Sequence, residues 1–265
     1  MKIYKKISFG CLLLLLSLAY SCKKAATLDQ AIEAPLDGAR VRLYNFSINS
    51  PVVLFYSNDV KISAVISATG MEAVSGMSYG GTYPVNQYAI APLGTREIKT
   101  GIPKNLAPNG GTITSSLNYN FEDQKFYSIF SSGLYDAVNK KSESFVVEDN
   151  FPQEMDPLNA YIRIVNPCYS SSTISMVLQK STTVGGVKTI TEELPIGSGI
   201  AYKQASPFVK IPPGAWELLV TDAASGKTAV RAATTFLKER VYTIALRGNI
   251  VTASPATFLD NTVNK

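Results

Sequence analysis

The chain has no histidine among its 265 residues. Histidine is the commonest general acid–base residue and a frequent zinc or copper ligand, so both chemistries start at a disadvantage. Cysteine is scarce, with three in all, and tryptophan occurs once. Charged residues make up only 17%. No dense Lys/Arg stripe appears, and the formal charge of +5 falls to +2 once Lys2, Lys5 and Lys6 are set aside. That excludes the electrostatic footprint of a nucleic-acid partner. There is no Asp-x-Asp-x-Asp-Gly calcium loop and no Gly-x-Ser-x-Gly, and no cofactor is expected. No long segment places apolar residues at helical spacing.

What is present begins with an amino-terminal address. Residues 1–21 combine a lysine-bearing head, the short apolar run Ile7–Leu18 and small residues before Cys22. This is the form of a secretory signal, and its apolar core is too short for an ordinary membrane span. Leu18-Ala19-Tyr20-Ser21-Cys22 resembles a bacterial lipobox, in the Ser-Cys-Lys-Lys form frequent in Bacteroidetes lipoproteins. The resemblance implies cleavage before Cys22, lipid on its thiol and acylation of the new amino group. The expected location is the cell envelope, at the outer membrane, with the membrane itself as a partner through the anchor. The lack of acidic residues after Cys22 leans towards the periplasmic face. Cys11 leaves with the signal and Cys22 takes lipid, so Cys168 is a lone thiol unable to form an internal disulfide. Residues 22–36 read as a polar tether.

The remainder is written twice. Ala39-Arg-Val-Arg-Leu-Tyr-Asn45 returns as Ala160-Tyr-Ile-Arg-Ile-Val-Asn166. Both alternate Arg with aliphatic residues, the pattern of a half-buried strand. On that reading Arg40, Arg42 and Tyr44 face solvent while Val41 and Leu43 face a core. Phe208–Ile211, Pro212-Pro213-Gly214 and Trp216–Thr221 match Tyr88–Ala91, Pro92-Leu93-Gly94 and Arg96–Thr100. Arg240–Ile244 matches Lys125–Ile129, Gly248 falls on Gly133, and Asp260-Asn261 falls on Asp149-Asn150. Matches in one order indicate a duplicated domain. The expected boundaries are 37–150 and 158–262, with 151–157 as linker.

Within each copy, β-branched and aromatic runs alternate with turn signals. Asn58-Asp59 and Gly185-Gly186 mark hairpin turns. Glu122-Asp123-Gln124 is read as a further hairpin, between Ile113–Asn120 and Lys125–Ser131, and Tyr83–Ile90 as one strand. About seven or eight such strands per copy indicate tandem immunoglobulin-like antiparallel β-sandwiches, an all-β chain.

A strand ending in Arg-x-x-Asn, a Tyr-bearing second strand, a Pro-x-Gly turn and a late Tyr-[Ser/Thr]-Ile strand resemble the DUF4397 domains of bacterial envelope proteins. They are Arg42–Asn45, Val52–Tyr56, Pro92–Gly94 and Tyr127–Ile129, then Arg163–Asn166, Pro212–Gly214 and Tyr242–Ile244. The resemblance implies the fold and no established activity. Many members carry an Asp in the second strand, where Leu54 stands in this chain.

Catalytic candidates dissolve on inspection. The pairs Glu122-Asp123, Glu148-Asp149 and Glu192-Glu193 lie at turns or strand ends, and adjacent strand residues face opposite ways. They read as solvated charge. Cys168 has no histidine to activate it. Trp216 reads as a core residue between sheets, with sugar stacking as the alternative. The expectation is a non-enzymatic, lipid-anchored binding or scaffolding protein whose partner is an envelope protein or glycan. A carbohydrate-binding accessory lipoprotein, with Tyr79, Tyr83, Tyr202 and Trp216 as ligand candidates, and a fimbrial-type adhesin subunit are the alternatives.

Overall fold

A computed structural model describes residues 37–63, 75–106 and 108–265. The signal, Cys22 and the tether lie outside the described residues. Among those described, all regular structure is strand. The first half holds β1 (Ala39–Asn45), β2 (Leu54–Ser57), β3 (Val60–Lys61), β4 (Gly81–Tyr83), β5 (Ala89–Ala91), β6 (Gly94–Gly101), β7 (Ile113–Phe121), β8 (Phe126–Asp136) and β9 (Lys141–Glu148). The second holds β10 (Ala160–Val165), β11 (Thr173–Val184), β12 (Val187–Ala201), β13 (Val209–Ile211), β14 (Gly214–Asp222), β15 (Thr228–Phe236), β16 (Val241–Arg247) and β17 (Phe258–Val263).

Each half is a pair of sheets. In the first, β4-β1-β8-β9, with β5 also on β1, faces β3-β2-β6-β7; in the second, β13-β10-β16-β17 faces β12-β11-β14-β15. Alternate residues from both sheets fill the space between them. Val41, Leu43, Phe55, Ile98, Phe121 and Ile129 do so in the first half. Ile162, Ile164, Met176, Leu178, Trp216, Leu218 and Ile244 do so in the second. The sandwich expectation is thereby met.

Local chemistry explains several joints. Asn58 turns β2 into β3 at φ 52°, and Gly185-Gly186 joins β11 to β12 at φ 58° and 82°, values that glycine adopts at no steric cost. Tyr127 and Tyr242 sit early in β8 and β16. Their hydroxyls accept the backbone N–H of the residue five positions upstream, Glu122 (3.2 Å) and Leu237 (2.9 Å). This is the tyrosine corner of immunoglobulin-like sandwiches, which ties the crossing between sheets to the following strand.

Four expectations are corrected. The sheets are not wholly antiparallel: β1 runs parallel to β8, and β10 to β16. Parallel pairing needs a long connection, which the intervening strands supply by crossing to the opposite sheet. Glu122–Gln124 is not a hairpin, because β7 pairs with β6 while β8 pairs with β1 and β9. Buried Phe121 ends one strand in the core, where its ring meets Tyr127 at 5.0 Å. Tyr83–Ile90 is two strands, interrupted by Pro84, which has no N–H to donate to a ladder. Finally, the last repeat match slips. Ile129 faces Val146 and Ile244 faces Asn261, so the residue equivalent to Asp149 is Asn264.

The largest correction concerns the faces of β1. Arg42 is 0% exposed and Tyr44 1%. The two sandwiches are packed face to face, with the β1 sheet of one against the β10 sheet of the other. Tyr44, Phe46, Phe130 and Phe145 meet Val165 and Ala245 there in a third apolar cluster. Residues Asp37–Lys265 consequently form one compact unit. A strand between two cores shows the same alternation as one with a wet face, and here the second core covers its arginine side.

Candidate functional site

Where the halves meet, the repeated arginines occupy equivalent positions and cross over. Arg163 on β10 donates through Nη1 to the Glu148 carbonyl at the end of β9 (3.2 Å). Arg42 on β1 donates through Nη1 to the Val263 carbonyl at the end of β17 (2.9 Å). Each lies over a ring from its own half: Arg42 over Tyr88 at 4.5 Å, Arg163 over Phe208 at 4.7 Å. The crossing repeats because the sequence repeats.

Around Arg163 the polar groups close into a ring. Its Nη2 donates to Asp149 Oδ1 and its Nε to Thr243 Oγ1 (3.0 Å). The Thr243 hydroxyl donates to Asn264 Oδ1 (2.8 Å), and the Asn264 amide donates to the Tyr88 hydroxyl (2.6 Å). Tyr88 then donates to Asp149 Oδ2 (2.7 Å), which also accepts from Ser128 (2.9 Å). Burial, and then the Asp149 charge, push the Tyr88 phenol well above its ordinary range, so it remains a donor. Buried polar groups so fully partnered rigidify a contact. Asp149 was expected to be solvated loop charge and is instead 3% exposed; the same arrangement that covers Arg163 covers it.

The sequence-selected aromatics do not form an exposed line. Tyr79 and Tyr202 prove equivalent, since Gly80 and Lys203 both donate their N–H to the Asn that ends the first strand, Asn45 and Asn166. Both face across the seam. Arg247 of the second half lies over Tyr79 at 4.8 Å and is held by Asp260 (2.7 Å). Tyr202 shares a hydrogen bond with Ser132 (2.9 Å) and donates to Glu143 (3.1 Å) in the first half. Tyr83 ends β4 and packs on the first core. Trp216 is 1% exposed. Its Nε1 donates to the Pro212 carbonyl (3.1 Å) and Lys180 lies over its ring at 4.0 Å. It offers no face to a sugar, and the core reading holds. Cys168 is buried, its thiol 3.1 Å from the Gly248 carbonyl.

Sequence reasoning missed another set of rings. Phe126, Tyr88, Phe151 and Phe208 follow one another along the seam, with centroids 5.1 Å apart for Tyr88–Phe126, 5.0 Å for Phe126–Phe151 and 5.4 Å for Phe151–Phe208. All four are half-buried. Phe151 lies in the stretch expected to be a free linker, and these contacts pin it. The repeat gave no signal for it, because a joining segment occurs only once.

Two cavities flank this segment. One of about 780 Å³ has Asn150, Arg163, Lys203, Gln204, Ser206 and Phe208 in its wall. One of about 520 Å³ has Gln124, Phe126, Asn150, Phe151, Gln153 and Lys265. Glu148, Asn150 and Pro152 belong to both. Lys265 apart, their charges are paired: Glu148 with Lys125 (3.3 Å), Lys203 with Glu143 (2.6 Å) and Arg163 with Asp149. Among the described residues no three His, Cys, Asp or Glu side chains converge to hold a metal ion.

No family model and no curated protein matches the chain. Among solved structures, a candidate cell adhesion protein from Bacteroides ovatus is 8% identical with a TM-score of 0.28, over 88% of this chain and 98% of that one. A second candidate cell adhesion protein, from Bacteroides fragilis, is 7% identical with a TM-score of 0.27, over 86% and 98%.

Proposed function

We propose that the chain is a non-enzymatic binding or adhesion protein of the bacterial cell envelope, built from two DUF4397-like sandwiches and held to the membrane by lipid on Cys22. The observation that carries this reading is the closed hydrogen-bond ring. Arg163, Asp149 and Tyr88, three of the buried polar groups at the seam, spend their donors and acceptors on joining the halves. A catalytic group needs an unspent proton or lone pair aimed at a substrate. Apart from Lys265, the charges lining the two cavities are likewise paired. What remains is a rigid pair of sandwiches with a cleft between them, a scaffold for recognition.

Two measurements test it. Metabolic labelling with a palmitate analogue should mark the wild-type chain and leave the Cys22→Ser chain unmarked and free of the membrane. The purified chain should leave peptide and glycan substrates intact. Hydrolysis abolished by a seam substitution would overturn the non-enzymatic reading, and equal labelling of both chains would overturn the anchor.

A further inference from the structure

The seam carries two rings, Phe126 and Phe151, beyond the pair that lies against the arginines. Tyr88 and Phe208 are equivalent and serve the two arginines. Phe126 has Val241 as its equivalent, judged by their places opposite Arg40 and Tyr161, and Phe151 belongs to the segment that occurs once. These two rings break the symmetry and stand in the wall of the smaller cavity. Their partly open faces are occupied by one group, the Lys265 ammonium, 4.8 Å from the Phe151 centroid and 5.4 Å from that of Phe126. Side-chain amides surround them: Asn150 between the cavities, Gln204 in one, Gln124 and Gln153 in the other.

We propose that this seam binds a neutral oligosaccharide; the assignment rests on the binding-protein reading above and names its ligand. A pyranose presents C–H faces and a rim of hydroxyls. The C–H faces pack on the negative faces of aromatic rings, and an amide offers each hydroxyl both a donor and an acceptor. Both cavities, about 520 Å³ at Phe126 and Phe151 and about 780 Å³ at Phe208, fall within the range of small-ligand sites. Charge favours an uncharged ligand: Glu148, Lys203 and Arg163 are matched in ion pairs, and the one remaining cation among the described lining residues, Lys265, is spent on the two ring faces. The bound sugar takes the ring faces now under Lys265, which therefore competes with it.

The test uses the full chain carrying fluorophenylalanine, titrated with the neutral hexasaccharides of cellulose, xylan, starch and mannan. At least one should move the fluorine resonances of Phe126, Phe151 and Phe208, with an affinity unchanged by added salt. Phe151→Ala should weaken binding about tenfold, the share of one stacked ring, while Phe151→Tyr keeps it. Lys265→Ala should tighten it. Trp216 emission reports whether each variant is folded. Silence of all three resonances with every sugar at roughly 10 mM, a millimolar-affinity limit, overturns the proposal. So does a response to an unstructured peptide with none to any sugar, which would make the seam a peptide groove and leave the binding-protein reading standing. Cleavage of a hexasaccharide would instead overturn the non-enzymatic reading.

Discussion

Arg163 donates to Asp149 across the boundary between the two sandwiches, and the two side chains are 2% and 0% exposed. In the equivalent place on the other side, Arg42 reaches the backbone of Val263, and the residue equivalent to Asp149 is Asn264, not a carboxylate. The two arginines therefore differ in what their removal strands. Arg163→Ala leaves a buried carboxylate without its counter-charge and should cost about 3–5 kcal/mol. Arg42→Ala strands only neutral carbonyls, those of Val263 and Gln87, and should cost less, about 1–3 kcal/mol. Urea unfolding at neutral pH, with unchanged slope, measures both. Equal costs would show that the Asp149 pair is not what matters at the seam.

Because the seam is closed by apolar packing and this ring, the halves should unfold as one. Trp216 lies only in the second core, so its fluorescence reports that half, while far-ultraviolet circular dichroism reports both. The two urea curves should coincide in the wild type. In Asp149→Ala, which breaks the ring at its only acid, they should separate. Separated curves in the wild type would mean the halves are independent despite their contact.

Much of this architecture was legible, and the illegible part has one physical source. Alternation located β1 and β10, paired glycines located the β11–β12 turn, and the recurring Tyr of Lys125–Ile129 and Arg240–Ile244 marked β8 and β16 as equivalent strands. Alternation says which residues share a face and nothing of what lies against it. Arg42 and Tyr44 were assigned to water because a solvated strand and one buried under a second sandwich share that pattern. Asp149 was misread for the same reason. The match of Asp260-Asn261 to Asp149-Asn150 hid Asn264, because two similar dipeptides were aligned out of the strand register, in which Tyr127–Glu148 and Tyr242–Val263 are the equivalent end pairs. Tyr79 and Tyr202 were singled out separately, and their equivalence emerged only from the Gly80 and Lys203 backbone hydrogen bonds. Phe126 and Phe151 carried no pattern, being brought together by packing alone.

Cys168 should be silent to thiol reagents in the native state. Its sulfur is covered and points at the Gly248 carbonyl. In a chain whose other cysteines are replaced by serine, its labelling rate should rise only with global unfolding. Fast labelling under native conditions would place the thiol in a locally opening segment and argue against the packing of residues 166–171.

Asp222 supplies a pH dependence confined to strong acid. It closes the turn after β14 and is 1% exposed. Burial opposes its charge, but hydrogen bonds from the Ser225 hydroxyl and N–H, and from the Ser172 N–H and hydroxyl, outweigh it and hold the carboxyl at about 2. The folded carboxyl thus binds its proton less readily than the unfolded one, whose ordinary value is 3.8. The stability it contributes is fully present above 3.8 and is lost as pH falls through 2. The size is roughly 2 kcal/mol, from a shift of nearly two units. Asp222→Asn keeps the shape, loses the charge-assisted bonds and should remove that contribution at neutral pH. The stability gap between wild type and variant should therefore be flat from pH 7 to about 4 and close in stronger acid. A gap that persists undiminished at the lowest pH would assign the effect to the side-chain amide's geometry instead of the carboxylate's charge.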